Sequence, residues 1–190
     1  MQAARGTSLS HDDSSVSDSQ SVPSRARIRT LLVVVFALLY AADQATKWLA
    51  VDRLTGRPDK QLLGDVLVLH LTRNAGAAFS TGTRYTGLFT ALAIVAILVV
   101  LWLSRRVHSA LWAVSFGMLL AGICGNLTDR IFRSPGVLRG HVVDFLMLPH
   151  WPIFNVADTC INLAAAVILV QAFRGVRLDG SRVDRHTDDE

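Results

Sequence analysis

Four aspartates of this 190-residue chain stand where carboxylate chemistry is possible: Asp43, Asp129, Asp144 and Asp158. The chain has fourteen Asp and a single Glu, the terminal Glu190, so any carboxylate reaction here is aspartate chemistry. Each of the four lies in or beside an apolar stretch and has polar company: Asp43 and Lys47 in DQATK, Asn126, Asp129 and Arg130 in GNLTDR, Asp144 in HVVDF, Asn155 and Asp158 in FNVAD. Asn74 stands in RNAG. Two carboxyls held close together cannot both ionise easily, so they share a proton. One then takes a proton from water while the other gives one to a carbonyl oxygen. Such a pair hydrolyses amides with no metal, no cofactor and no covalent intermediate. Other hydrolytic machinery lacks its parts. There is no HExxH, no GxSxG and no Gly-rich phosphate loop. Cys124 and Cys160 sit in apolar segments without a nearby His and read as small buried hydrophobes.

The elements that must position these residues are apolar. The chain is 51% hydrophobic and only 18% charged, against about 25% charged in a soluble domain. Four segments approach the roughly 20 apolar residues that cross a bilayer: residues 30–51, 86–103, 110–127 and 156–173. Four such runs leave too little polar chain to cover them in water. The expected fold is an all-α membrane protein, a four-transmembrane-helix bundle over residues 29–174. A small extracytoplasmic β or loop element is expected between the first two spans, where LLGDVLVLHL suggests one or two strands. Residues 1–28 read as a disordered cytoplasmic tail and 175–190 as a polar cytoplasmic one. The net charge of +4 does not point to nucleic acid, because the basic residues flank apolar runs.

Topology then brings the polar residues together. Arg25, Arg27, Arg29, Arg105, Arg106, Arg174, Arg177, Arg182 and Arg185 crowd the ends of one side, which the positive-inside rule makes cytoplasmic. Asp43, Asn74, Asn126, Asp129, Arg130, Asp144, Asn155 and Asp158 all fall on the other side. Ionisable groups at membrane depth mark function by default. Position favours Asp144 with Asp158 as the dyad, with Asp129 a substitute for either. Asp129 beside Arg130 reads equally as a structural ion pair, Asp43 with Lys47 has helix-pair spacing, and Asp158 has the position of a helix cap. A transporter would spread its charges through the membrane depth, whereas the middles of the second and third spans are uncharged. A non-catalytic scaffold would tolerate loss of both dyad carboxylates. A soluble aspartic protease would need two β-rich lobes and DTG-type loops.

The motifs DQATK (43–47), RNAGAAFS (73–80), GNLTDR (125–130), VVDF (142–145) and FNVADT (154–159) occur in the order found in lipoprotein signal peptidase, the bacterial signal peptidase of type II, which the chain resembles over residues 30–173. The resemblance implies an aspartic endopeptidase of the bacterial cytoplasmic membrane, and the chain itself is expected to be a monomer. Its substrates would be diacylglyceryl-modified prolipoproteins, cut just before the lipid-bearing cysteine. It implies Asp144 and Asp158 as catalytic residues. Asn74, Asn126, Asp129, Arg130 and Asn155 would hold substrate or order the dyad, and Asp43 would have a structural or positioning role. Thr159 stands where Ser is common in the family.

Overall fold

The structure, a computed structural model, describes residues 24–76 and 86–182. The element order is α1 (Arg25–Leu54), β1 (Lys60–Leu63), β2 (Leu67–Asn74), α2 (Thr86–Ser104), α3 (Ala110–Phe132), β3 (Val142–Met147) and α4 (Val156–Phe173). Most of the expected N-terminal tail, the AAFS end of the second motif and residues 183–190 lie outside the described residues.

All four helices are long and apolar enough to cross a membrane. α1 starts at Arg25, inside the stretch assigned to the tail, because the Ser24 side chain accepts the Arg27 N–H and solvated arginines extend a helix beyond its apolar part. Its 30 residues span about 45 Å, more than the roughly 30 Å hydrocarbon layer, so both ends project into headgroups or water.

α3 is the hub. Half of its most apolar window is buried, against 11% for α1, 17% for α2 and 22% for α4. The other three helices turn large apolar side chains outward, among them Leu38, Leu92, Leu98 and Leu169, as lipid-facing helices do. Small residues let α3 take this place. A Cβ on Gly117 would lie 2.8 Å from the Leu32 carbonyl of α1, and one on Gly122 would lie 2.5 Å from the Ala157 carbonyl and 2.6 Å from Ile161 Cγ1 of α4. The glycines of the third span therefore serve close backbone packing between helices.

Two apolar clusters hold opposite ends of the bundle. One joins Ile28, Val100, Val107, Trp112, Phe116 and Leu120. Val176 and Leu178 also pack on it, and the Leu178 carbonyl accepts the His108 N–H at 3.0 Å. The start of the expected C-terminal tail is thus a docked turn. The other cluster joins Ala50 and Leu54 of α1 to Val143 and Phe145 of β3.

The three strands form one antiparallel sheet in the order β1-β2-β3. One or two strands were expected before the second span, and two form, β1 and β2. The third, β3, lies in a stretch read from sequence as loop. Its Asp144 pairs with Thr72 and its Val142 with Asn74. Side chains alternate across a strand, so Val143 and Phe145 enter the α1 cluster while Asp144 faces away from it.

Crowding at Gly122 has a measurable consequence. Gly122→Ala is expected to lower stability in detergent by about 1–3 kcal/mol through overpacking, read as a lower thermal midpoint. Gly87→Ala, where an added Cβ meets open space, should leave the midpoint unchanged or slightly raised.

Candidate active site

The site begins with a cation that has no access to water. Lys47, near the end of α1, is 0% exposed, and its ammonium lies 3.0 Å from Asp43 Oδ2, 3.0 Å from Asp129 Oδ2 and 2.9 Å from Asn126 Oδ1. These are three acceptors for three N–H donors. Asp43 and Asp129 are equally buried. Asp43 Oδ1 accepts the Ala157 N–H of α4 at 2.9 Å, and Asp129 Oδ2 accepts the Val143 N–H of β3 at 3.1 Å. One charged cluster therefore ties α1 to α3, α4 and β3. Gly125 makes room for it: a Cβ there would collide with the Asp43 carboxylate.

Asp129 has a different partner from the one its neighbour suggests. Its second oxygen is held by Arg133, one turn on, and not by Arg130. Adjacent helical side chains diverge, whereas positions i and i+4 share a face. The Asp129–Arg133 spacing was present in the sequence but was overshadowed by the adjoining Asp-Arg pair.

From Lys47 the network runs outward through amides. Asn126 must present its oxygen to the ammonium, so its Nδ2 points the other way and donates to Asp158 Oδ1 at 2.8 Å. Asn155 caps α4: its Oδ1 accepts the Asp158 N–H at 3.0 Å, while Asp158 Oδ2 accepts the Asn155 N–H at 3.2 Å, a reciprocal capping box. That leaves Asn155 Nδ2 to donate to Asp144 Oδ1 at 2.6 Å. The Asn74 amide is oriented in the same manner. Its Oδ1 is taken by the Gly76 N–H at 2.8 Å, so its Nδ2 meets Asp144 Oδ2 at 3.0 Å. Gly76 has φ +106°, where a Cβ would press on the Phe89 ring and Arg130 Nη1.

Asp144 and Asp158 both line one cavity of about 300 Å³, with Asn74 beside them and Trp151, Phe154 and Ile161 in its walls. Asp43 and Asp129 do not line it. Burial pushes the Asp144 carboxyl up to about 6, the nearby Asp158 charge adds to this, and hydrogen bonds from Asn74 and Asn155 act against it. Arg130 stacks on Phe89 with its guanidinium carbon 5.7 Å from the ring centre, lies within electrostatic reach of both cavity aspartates, and has a buried Nη1 without an acceptor among the described residues. Among the described residues, no group of three or more His, Cys, Asp or Glu side chains is arranged to hold a metal ion.

All eight residues singled out from sequence thus meet at one end of the bundle. Sequence reading left out three participants. Lys47 was seen only as the helix partner of Asp43. Arg133 was given no role at the site, and Trp151 reads from sequence only as an interfacial tryptophan.

Known proteins resemble the chain closely. The profile of the family described as Signal peptidase (SPase) II matches residues 35–174. A lipoprotein signal peptidase of Streptomyces coelicolor is 42% identical over 84% of this chain and 79% of its own length. That of Rhodococcus jostii is 42% identical over 90% and 87%, and that of Mycobacterium leprae 41% identical over 87% and 82%. A solved structure described as a bacterial membrane enzyme has the same fold, with a TM-score of 0.67 at 22% identity over 75% of this chain and 92% of its own.

The buried cluster gives a direct test. Lys47→Met leaves two carboxylates without their shared cation and should cost roughly 3–5 kcal/mol. The double variant Asp43→Asn/Lys47→Met should cost less than the sum of the two single changes, measured as unfolding in detergent.

Proposed function

The chain belongs to the signal peptidase II family, and from that premise we propose that it removes signal peptides from diacylglyceryl-modified prolipoproteins by an aspartate-dyad hydrolysis, cutting just before the lipid-modified cysteine. The observation that carries this reading is that Asp144 and Asp158 line one cavity while Asn155 hydrogen-bonds to both.

In this mechanism Asp158 enters as the carboxylate and Asp144 as the acid. Asp158 receives two N–H donors, one of them from an amide whose oxygen faces the Lys47 ammonium. Asp144 is the more buried of the two, and its pKa, raised to about 6, favours the protonated form relative to an ordinary aspartate. Water lying between them gives a proton to Asp158 as its oxygen adds to the scissile carbonyl carbon. Asp144 gives its proton to the carbonyl oxygen. Collapse of the resulting gem-diol breaks the C–N bond: the proton on Asp158 passes to the leaving amine, and a gem-diol hydroxyl returns a proton to Asp144. The balance leaves an acid, an amine and the starting dyad. Arg130 Nη1, which has no acceptor among the described residues, supplies a donor for a substrate carbonyl.

The site end faces the outside of the cytoplasmic membrane in this reading, with both termini in the cytoplasm. What supports it is the concentration of Arg25, Arg27, Arg29, Arg105, Arg106, Arg174 and Arg177 at the opposite end. A substrate whose acyl chains remain in the outer leaflet holds its scissile bond at that interface. The apolar walls from Trp151, Ile153, Phe154 and Ile161 suit such a partner.

Cleavage of a lipid-modified prolipoprotein by the purified full chain in detergent, with chelator present, tests the proposal. Asp144→Asn and Asp158→Asn should each lower kcat by at least about 100-fold at unchanged folding. Near-normal turnover by either variant, or loss of wild-type activity in chelator with recovery on added zinc, would overturn it. The pH profile is a second expectation. The acid form of Asp144 is lost as pH rises, so kcat/KM should fall on the alkaline side through an apparent value near 6. Asn74→Ala removes a hydrogen bond that favours the ionised form and should move that limb to higher pH.

A further inference from the structure

A cavity of about 530 Å³ lies at the end of the bundle away from the dyad, between the α2–α3 turn and the docked turn after α4. Trp112, Val176 and Leu178 form its apolar part, and Arg106 and Arg177 stand at its polar edge with Asp179. Asp179 is already engaged, accepting the backbone N–H and the hydroxyl of Ser181 at 2.9 and 2.7 Å. Neither Arg106 nor Arg177 forms a salt bridge among the described residues; Arg177 lies within electrostatic reach of Asp179, and the Arg106 guanidinium covers the Trp102 ring at 4.5 Å. Arg105 and Arg174 add positive charge close by.

A second observation also calls for an acceptor here. The indole N–H of Trp112, in the cavity wall, is buried with no hydrogen-bond partner among the described residues. A buried donor left unpaired costs on the order of 1–3 kcal/mol, so the indole in the cavity wall calls for an anionic or carbonyl oxygen. The cavity is apolar on one side and cationic on the other, and it lies at the headgroup level of helices that cross a membrane. A phospholipid has this division, with a phosphodiester for the arginines and acyl chain for the apolar wall.

We propose that this cavity binds an anionic phospholipid of the adjoining leaflet, with Arg106 and Arg177 on the phosphodiester. The lipid would join the α2–α3 turn to the segment after α4 and so brace the end of the bundle remote from the dyad. The site is independent of the peptidase mechanism.

Native mass spectrometry of the detergent-purified full chain tests this, using phosphatidylglycerol and phosphatidylcholine of identical acyl chains in competition. One phosphatidylglycerol should be retained with roughly tenfold preference. Arg106→Gln/Arg177→Gln should abolish the preference while keeping the thermal midpoint of the lipid-free wild type, since both side chains are exposed. Arg105→Gln/Arg174→Gln, which removes equal charge outside the cavity wall, should retain it. Equal retention of the two lipids by the wild type, or the same loss in both double variants, would overturn the proposal. Displacement of the lipid by millimolar inorganic phosphate would reassign the site to a free anion, whereas indifference to phosphate supports the lipid.

Discussion

An ammonium sealed from water governs this molecule. Lys47 cannot be hydrated, and an uncompensated charge at such a place costs several kcal/mol. It is tolerable only where three acceptors converge, and Asp43, Asp129 and Asn126 do so. Those acceptors in turn need donors. Asp43 takes a backbone N–H from α4 and Asp129 takes one from β3, while Arg133 offsets the second negative charge. Satisfying one cation therefore sets the positions of α3, α4 and β3 at the same end of the bundle.

The asparagines carry that order to the cavity. A primary amide has an acceptor end and a donor end, so holding one aims the other. Lys47 holds the Asn126 oxygen, the Asp158 N–H holds the Asn155 oxygen, and the Gly76 N–H holds the Asn74 oxygen. All three Nδ2 groups then point at Asp158 or Asp144. The four aspartates so divide into a pair that builds the frame and a pair that faces space. Asp158 shows that helix capping and exposure to the cavity are compatible, because one of its oxygens closes the capping box while the other is held by Asn126.

Much of this was legible in the residues. Apolar runs of bilayer length announce four helices, since lipid accepts little else in such numbers. Up-and-down connection of four spans puts every second helix end on one side, which gathers Asp43, Asn126, Asp129, Asn155 and Asp158 without any tertiary information. β3 was not legible, because a six-residue strand next to a turn has no periodicity distinct from an apolar loop. Its strand character depends on pairing with β2, from far away in the chain.

What the sequence determined by itself was therefore the class of fold, the end of the bundle that carries the chemistry, and the family to which the motifs point. These follow from hydropathy, connectivity and the types of residue present. The partners and directions of the individual carboxylates were decided only in three dimensions. Asp129 meets Arg133 and Lys47 and not its neighbour Arg130, Asp43 turns inward, and Asp144 faces the cavity because strand alternation sends Val143 and Phe145 to the other side. Such assignments depend on directions of side chains from distant segments, and direction is a property of the packed chain that residue order alone does not contain.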